Sequence, residues 1–203
     1  MTNLLKYALI AQEAYSAPPD IGRESTASRA IVRGDTVAFP GTNNPACMLA
    51  DLQIDLYRSM SLGRIHKGVW DAYCAIAPDL LKLSPVNVVG HSLGGGLGLL
   101  YAGALCIVGT PPKFVYAFEP LQITPDDTLG EVLKAHGVQV VLTHNGHDLI
   151  PEEPNIIYDW KQPGPMLELC ETEYPYPHIS PDPILNITDH LIENVIKSIN
   201  SAI

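Results

Sequence analysis

Gly90-His91-Ser92-Leu93-Gly94 is the stretch on which the reading of this chain turns. It follows an apolar run, Val86-Asn87-Val88-Val89, and precedes a small-residue segment, 95–104, of helical character. A serine flanked by glycines between a strand and a helix has the layout of a nucleophile elbow. The turn is so sharp that side chains two residues either side of the serine would collide, so both places need glycine. The serine oxygen then stands at the carboxyl edge of a sheet, with the partly positive helix N-terminus directed at the reacting atom. Gly94, Gly95, Gly96 and Gly98 all fall in the first two helical turns, where each costs about 0.8–1 kcal/mol relative to alanine. A helix shaped for stability alone would not keep four. Local rules broken this densely mark a site.

Outward from this point, strands and helices alternate. Leu4, Leu5, Ala8, Leu9, Ala11, Gln12 and Tyr15 predict a first helix that stops before Pro18-Pro19. Residues 29–33 and 36–39, joined at Gly34-Asp35, read as a hairpin with apolar centres. Helices are expected over 49–57 and 68–83, a short buried strand over 86–89, a helix over 94–108 and a strand over 114–118. A helix over 128–136 is ended by Gly137, and strands follow over 138–142 and 156–160. Residues 162–183 are proline-rich and loop-like, and 187–203 close as a helix with Leu191, Ile192, Val195, Ile196 and Ile199 on one face. The alternation predicts an α/β fold: a mostly parallel central sheet covered by helices on both faces, with antiparallel strands at its N-terminal edge. With 203 residues, no repeats and no interdomain linker, a single domain over 1–203 is expected.

Composition narrows the chemistry. A chain that is 46% hydrophobic and 17% charged is a compact globular protein with enough length to bury a real core. No apolar run approaches the ~18 residues that span a bilayer. The amphipathic N-terminus does not read as a cleaved signal, so a cytoplasmic product, or one released without a classical signal peptide, is expected. The balance of 22 acidic against 12 basic residues argues against nucleic acid and against strong attraction to anionic membranes. Cys47, Cys74, Cys106 and Cys170 are widely spaced and form no Cys-x-x-Cys pair. Buried small hydrophobes are the expectation for them, with disulfide pairing left open.

A serine hydroxyl is a poor nucleophile at neutral pH and needs a base, normally histidine, oriented by a carboxylate. In such a sheet the three occur in the order Ser, Asp or Glu, His, each in a loop after a strand. Asp148, in Asn145-Gly146-His147-Asp148-Leu149-Ile150-Pro151, lies just past the strand predicted over 138–142, where the acid belongs. Asp126 and Asp127 are alternatives, but they sit where aspartate starts a helix. Only His178 and His190 follow Asp148. His190 opens the last helix, which fixes its approach, whereas His178 stands in a stiff Tyr-Pro-Tyr-Pro loop; His190 is therefore the expected base. His66, His91, His144 and His147 have the wrong chain order for that role, although His91 and His147 adjoin the site. A tetrahedral intermediate also needs donors for its oxyanion. One is the amide of Leu93, after the nucleophile; a second comes from the turn Phe39-Pro40-Gly41-Thr42, where Thr42 offers an amide and a hydroxyl.

Together these segments resemble the class 3 lipase family of the α/β-hydrolase fold. Members carry a Phe-Arg-Gly-Thr oxyanion strand, His-x-Gly-Phe, Gly-His-Ser-Leu-Gly-Gly, an Asp-x-Val-Pro acid loop and a terminal Asp-His-Leu. The matching segments here are Phe39-Pro40-Gly41-Thr42, His66-Lys67-Gly68-Val69, Gly90 to Gly95, Asp148-Leu149-Ile150-Pro151 and Asp189-His190-Leu191. Five spaced segments in one order are far more specific than any one of them. The resemblance implies a lipase or esterase that hydrolyses carboxylic esters through a Ser92 acyl-enzyme. His190 would serve as base and then acid, Asp148 would orient it, and Thr42 and Leu93 would form the oxyanion hole. It implies an ester or lipid substrate, transient contact with a lipid interface, no cofactor and no metal. A phospholipase, thioesterase or acyltransferase could use the same serine. A non-catalytic hydrolase-like binding protein would be marked by loss of one catalytic member, and here all three are present.

Three departures stand out. Pro40 replaces the family's arginine; Phe118-Glu119-Pro120 stands where the family commonly has glycine-proline; and only 23 residues separate Thr42 from His66, where family lipases carry a lid helix. Residues 49–57 could serve as a short lid, but Asp51, Asp55 and Arg58 give the segment the look of an ordinary packed helix. A poorly covered site favours soluble or short-chain esters over interfacial triglyceride.

Overall fold

The computed structural model describes residues 3–42, 55–152, 160–169 and 188–201. In chain order these form α1 (Asn3–Ser16), β1 (Ile21–Gly22), β2 (Arg29–Arg33), β3 (Thr36–Phe39), β4 (Leu56–Ser59), β5 (Gly63–His66), α2 (Lys67–Cys74) and α3 (Ala77–Leu80). They continue as β6 (Asn87–His91), α4 (Leu93–Ile107), β7 (Phe114–Phe118), α5 (Thr128–Ala135), β8 (Gln139–His144), a 3-10 turn (Ile150–Glu152), β9 (Met166–Glu168) and α6 (Ile192–Ser201). The main sheet has the order β1-β2-β3-β6-β7-β8-β9. Its β1/β2 and β2/β3 pairs are antiparallel, and every later pair is parallel. A separate antiparallel pair joins β4 to β5. This is the α/β-hydrolase arrangement anticipated from the alternating pattern.

Strand side chains alternate between faces, and the two halves of the core follow that rule. Val37, Phe39, Val88, Val115 and Ala117 pack with Leu97, Leu100, Tyr101 and Leu105 of α4 and with residues of α2, α3 and α5. Ala38, Val89, Tyr116 and Phe118 pack on the opposite face against Ala8 and Ala11 of α1 and Ile192, Val195 and Ile199 of α6. Helix α4 is apolar all round because nearly all of it is covered, with Leu97, Leu99, Leu100 and Leu105 fully buried and Ile107 exposed at its end.

Register positions the site. Phe39 pairs with Gly90, Gly90 with Ala117, and Ala117 with Leu142. The chain therefore leaves β3, β6, β7 and β8 at one edge of the sheet, the carboxyl edge where open α/β sheets bind ligands.

Several local expectations are corrected. Residues 49–54 of the expected helix over 49–57 lie outside the described residues, and Leu56 and Tyr57 belong to strand β4 instead. The helix expected over 68–83 is two helices, α2 and α3, with Pro78 in the first turn of the second. Proline has no N–H to continue a helical ladder, so the chain restarts there. β1 and β9 were not legible; β9 lies inside the segment read as loop and is paired to the edge of β8. Of the strand expected over 156–160, only Trp160 is described; it is buried but not in a strand. Cys106 is a buried free thiol, as expected, whereas Cys74 is free and exposed; Cys47 and Cys170 lie outside the described residues.

Candidate active site

Between β6 and α4 a single residue, Ser92, turns the chain, with φ 60° and ψ −129°. Left-handed φ in a non-glycine residue costs on the order of 1–3 kcal/mol and persists only where surroundings over-determine it. Here they do. The Ser92 N–H donates to the Phe118 carbonyl at 2.9 Å, and the Ser92 carbonyl accepts from Gly95 at 2.9 Å and from Gly96 and Leu121 at 3.3 Å. A Cβ on Gly90 would stand 2.1 Å from the Gly94 carbonyl oxygen, and one on Gly94 would stand 2.3 Å from that of Phe39. Glycine at both places is thus a packing requirement of the turn.

The side chains of Ser92, Asp148 and His190, 98 positions apart at the extremes, converge. His190 Nε2 lies 2.8 Å from Ser92 Oγ, and its Nδ1 lies 2.6 Å from Asp148 Oδ2. All three are buried. With Asp148 ionised and accepting, Nδ1 carries the proton, and Nε2 accepts the Ser92 hydroxyl hydrogen. The other Asp148 oxygen accepts the Ile150 N–H at 2.9 Å. Burial disfavours the imidazolium and lowers the His190 pKa to about 3. Burial also raises the Asp148 carboxyl above the usual carboxylate range, opposed by the Ile150 amide, by a hydrogen bond with Glu119 and by the charge of His144.

The oxyanion candidates flank the serine. Leu93 is the first residue of α4, and the first N–H groups of a helix have no acceptor within it. Gly41 is so close that a Cβ there would meet Ser92 Cβ at 2.7 Å, and Thr42 lines the same cavity as His190.

A shell of polar groups fixes these elements. His91 Nε2 donates to the His190 carbonyl at 2.8 Å, and its Nδ1 accepts the Tyr15 hydroxyl at 2.6 Å, which sets the tautomer. Burial, then the neighbouring His190, holds His91 neutral, well below the ordinary histidine range. Asp189 clamps the acid loop: its Oδ2 accepts the His147 N–H at 2.8 Å, and its carbonyl accepts the Asn145 side-chain amide at 2.9 Å. His144 directs Nδ1 to Glu168 at 2.9 Å and Nε2 to the Asp148 carbonyl at 2.9 Å. Both partners accept, so both nitrogens are protonated. Burial opposes that charge, but the surrounding carboxyl groups and hydrogen bonds, Glu168 and the Asp148 carbonyl among them, outweigh it and raise the His144 pKa.

The other sequence candidates have separate work. Asp126 accepts from the Arg64 backbone at 3.0 Å and from Thr128 N–H at 3.2 Å at the start of α5. Asp127 pairs with Lys161 at 3.1 Å, and His66 caps α2 through Val69 N–H at 3.4 Å. His178 and most of the segment read as a candidate lid lie outside the described residues. Sequence reasoning did not assign Tyr15, Glu119, Asn145 or Asp189 to the site. Glu119 left a signal, as a departure from the family pattern, and Asp189 stood in the terminal Asp-His-Leu match.

A family model described as Lipase (class 3) matches residues 36–158. The chain belongs to the class 3 lipase family. The match includes Ser92 and Asp148 and ends before His190, so the place of His190 rests on geometry. The fold is similar to that of Rhizomucor miehei triacylglyceride lipase, at 20% identity and TM-score 0.68 over 82% of this chain and 78% of that one. It is also similar to the Yarrowia lipolytica LIP2 lipase, at 15% identity and TM-score 0.63 over 83% and 79%. Lipase II from Rhizopus niveus aligns at 16% identity and TM-score 0.60 over 77% and 76%. The chain spans 62% of the Rhizomucor miehei lipase propeptide complex. No curated protein matches the sequence. Among the described residues no helix is long and apolar enough to cross a membrane. Family and triad-like geometry together define a serine hydrolase of carboxylic esters that acts through an acyl-enzyme.

Proposed function

We propose that this class 3 lipase relative hydrolyses small esters, with Ser92 as nucleophile, His190 as general base and acid, Asp148 as its orienting carboxylate, and Thr42 and Leu93 as oxyanion donors. The carrying observation is the buried relay of 2.8 and 2.6 Å from serine through imidazole to carboxylate. Ser92 Oγ attacks the ester carbonyl while its proton passes to His190 Nε2, and the carbonyl electrons move to an oxyanion facing Leu93 N–H and Thr42. Collapse expels the alcohol, which takes the proton from Nε2, and leaves the acyl group on Ser92. Water repeats the cycle with Nε2 as base, which frees the acid and regenerates the serine.

The preference for small esters is supported by the cavity beside the base. It measures about 200 Å³ and is lined by Thr42, His190, Leu191, Ile192 and Glu193 among others, below the ~300–1,000 Å³ of pockets that enclose drug-sized ligands. Its wall mixes apolar Leu191 and Ile192 with a carboxylate, which suits a short acyl chain better than a long one.

The test is a hydrolysis series on p-nitrophenyl esters with acyl chains of increasing length, measured below and above micelle formation. The rate is expected to be highest on short chains and to show no jump at the micellar threshold. Ser92→Ala is expected to abolish turnover and fluorophosphonate labelling while leaving the fold intact. A rate that rises with chain length and jumps at micelles would replace the small-ester reading with an interfacial one, and an active Ser92→Ala protein would remove the nucleophile.

A further inference from the structure

Among the described residues only two non-glycine side chains sit on left-handed backbone: Ser92, at φ 60°, and Glu119, at φ 46°. Strain of this kind collects at functional sites, and Glu119 is the residue that follows β7, next to β6 and its serine. Its carboxyl is fully buried. Oε1 accepts the Thr143 hydroxyl at 3.0 Å, and Oε2 accepts the Asn145 N–H at 2.8 Å. Both donors lie on the stretch that ends β8 and leads to Asp148. The Glu119 and Asp148 carboxyl groups are close enough for one to donate a hydrogen bond to the other.

We propose that Glu119 is a positioning residue, a neutral carboxylic acid that donates its hydroxyl hydrogen to the Asp148 carboxylate and so holds the triad acid in place with a single negative charge. This rests on the triad reading given above. Two carboxyl groups in contact away from water cannot both ionise, and a hydrogen bond between them requires one proton. The proton belongs on Glu119: Asp148 receives two fixed N–H donors, from Ile150 and from His190 Nδ1, whereas Glu119 receives only one, from Asn145, its other partner being the Thr143 hydroxyl, which can turn. The charged and titratable groups around the pair are accounted for. On the β8 side, His144 is the cation that faces the pair and is tied to Glu168, while His147 is bound to Asp189. On the side of α6, His190 is held neutral, and Asp189 adds negative charge near Asp148. Burial, followed by repulsion from Asp148, raises Glu119 well above the usual carboxylate range.

Glu119→Gln keeps the shape, the neutrality and a donor for Asp148 but has no proton to lose. Its kcat at pH 7 is expected to stay within about threefold of wild type. Glu119→Ala, which leaves the Asn145 N–H without its acceptor, is expected to lower kcat at least tenfold with KM little changed. Two readouts do not depend on catalysis. The infrared difference between wild type and Glu119→Gln at pH 7 should show the C=O stretch of a protonated carboxyl in wild type only. An unfolded glutamate releases its proton above about pH 4.3, so the Tm of Glu119→Gln should gain on wild type steadily from pH 5 to pH 8. Loss of that infrared band and a Tm difference that grows with pH support the proposal even if no ester is turned over. A wild-type spectrum without the band, a Tm difference independent of pH, or a Glu119→Gln kcat as low as that of Glu119→Ala would overturn it.

Discussion

Gly94→Ala tests whether the elbow and the oxyanion turn are one rigid unit. A methyl at Gly94 would stand 2.3 Å from the Phe39 carbonyl oxygen and 2.5 Å from that of Pro40, where ordinary contacts begin at 3.4 Å. Both obstacles are backbone, so neither can rotate aside. The turn carrying Gly41 and Thr42 must retreat by about 1 Å, and misplacement of a catalytic group by 1 Å costs on the order of 10²-fold in rate, or about 2.7 kcal/mol. That is comparable with removing one oxyanion donor. The assay is turnover of p-nitrophenyl butyrate per active site, with sites counted by fluorophosphonate labelling and folding checked by circular dichroism. A folded Gly94→Ala protein is expected to label but to turn over about a hundredfold more slowly. Gly98→Ala is the control: its methyl would meet a Val88 methyl at 3.2 Å, a squeeze that a side chain can absorb. That variant should keep full activity and recover part of the ~0.8–1 kcal/mol of helix propensity that glycine forfeits. A folded Gly94→Ala protein with wild-type turnover would refute the coupling.

His190→Ala should reduce turnover by roughly a million-fold, and Asp148→Asn by about 10⁴-fold through the wrong tautomer; losses below tenfold in either would break the relay. Because burial lowers the His190 pKa to about 3, its reactive neutral form persists below the ordinary histidine pKa of ~6.5. The acid limb of kcat/KM should therefore lie below pH 6.5, and a midpoint at or above 6.5 would show that attraction to Asp148 outweighs burial. The same shift makes the unfolded chain bind the extra proton first. Its contribution to stability is thus fully present above pH 6.5 and lost as pH falls toward 3, which urea melts at pH 7 and pH 5 would read. Asp189→Ala removes the acceptor of the His147 N–H and should cost about 1–3 kcal/mol with a lower kcat; unchanged urea midpoint and kcat would show that the clamp carries nothing.

Where one pattern ran unbroken, the sequence was a sufficient guide. Helix α1, the β2/β3 hairpin, α4 and β7 follow from periodicity and turn residues, because local spacing alone decides which face is buried. It was a poor guide where partners decide. Leu56 and Tyr57 fit a helix locally but pair with Ile65 and His66 as a strand. β9 carries no local signal: its leucine is half-exposed, and the open edge of β8 makes it a strand. Pro78 was a signal in plain view, and the breadth of the apolar stripe over 69–83 hid it.

Chain order, glycine spacing and residue type determined the nucleophile elbow and singled out Asp148 and His190, since an elbow admits few residues and the order of the partners is fixed by the sheet. Sequence could not decide the protonation of the site. Whether a carboxyl keeps its proton or an imidazole stays neutral depends on how much water is excluded and which charges meet there. Those are properties of β7, β8 and the approach to α6 packed together, and none of these segments encodes them alone.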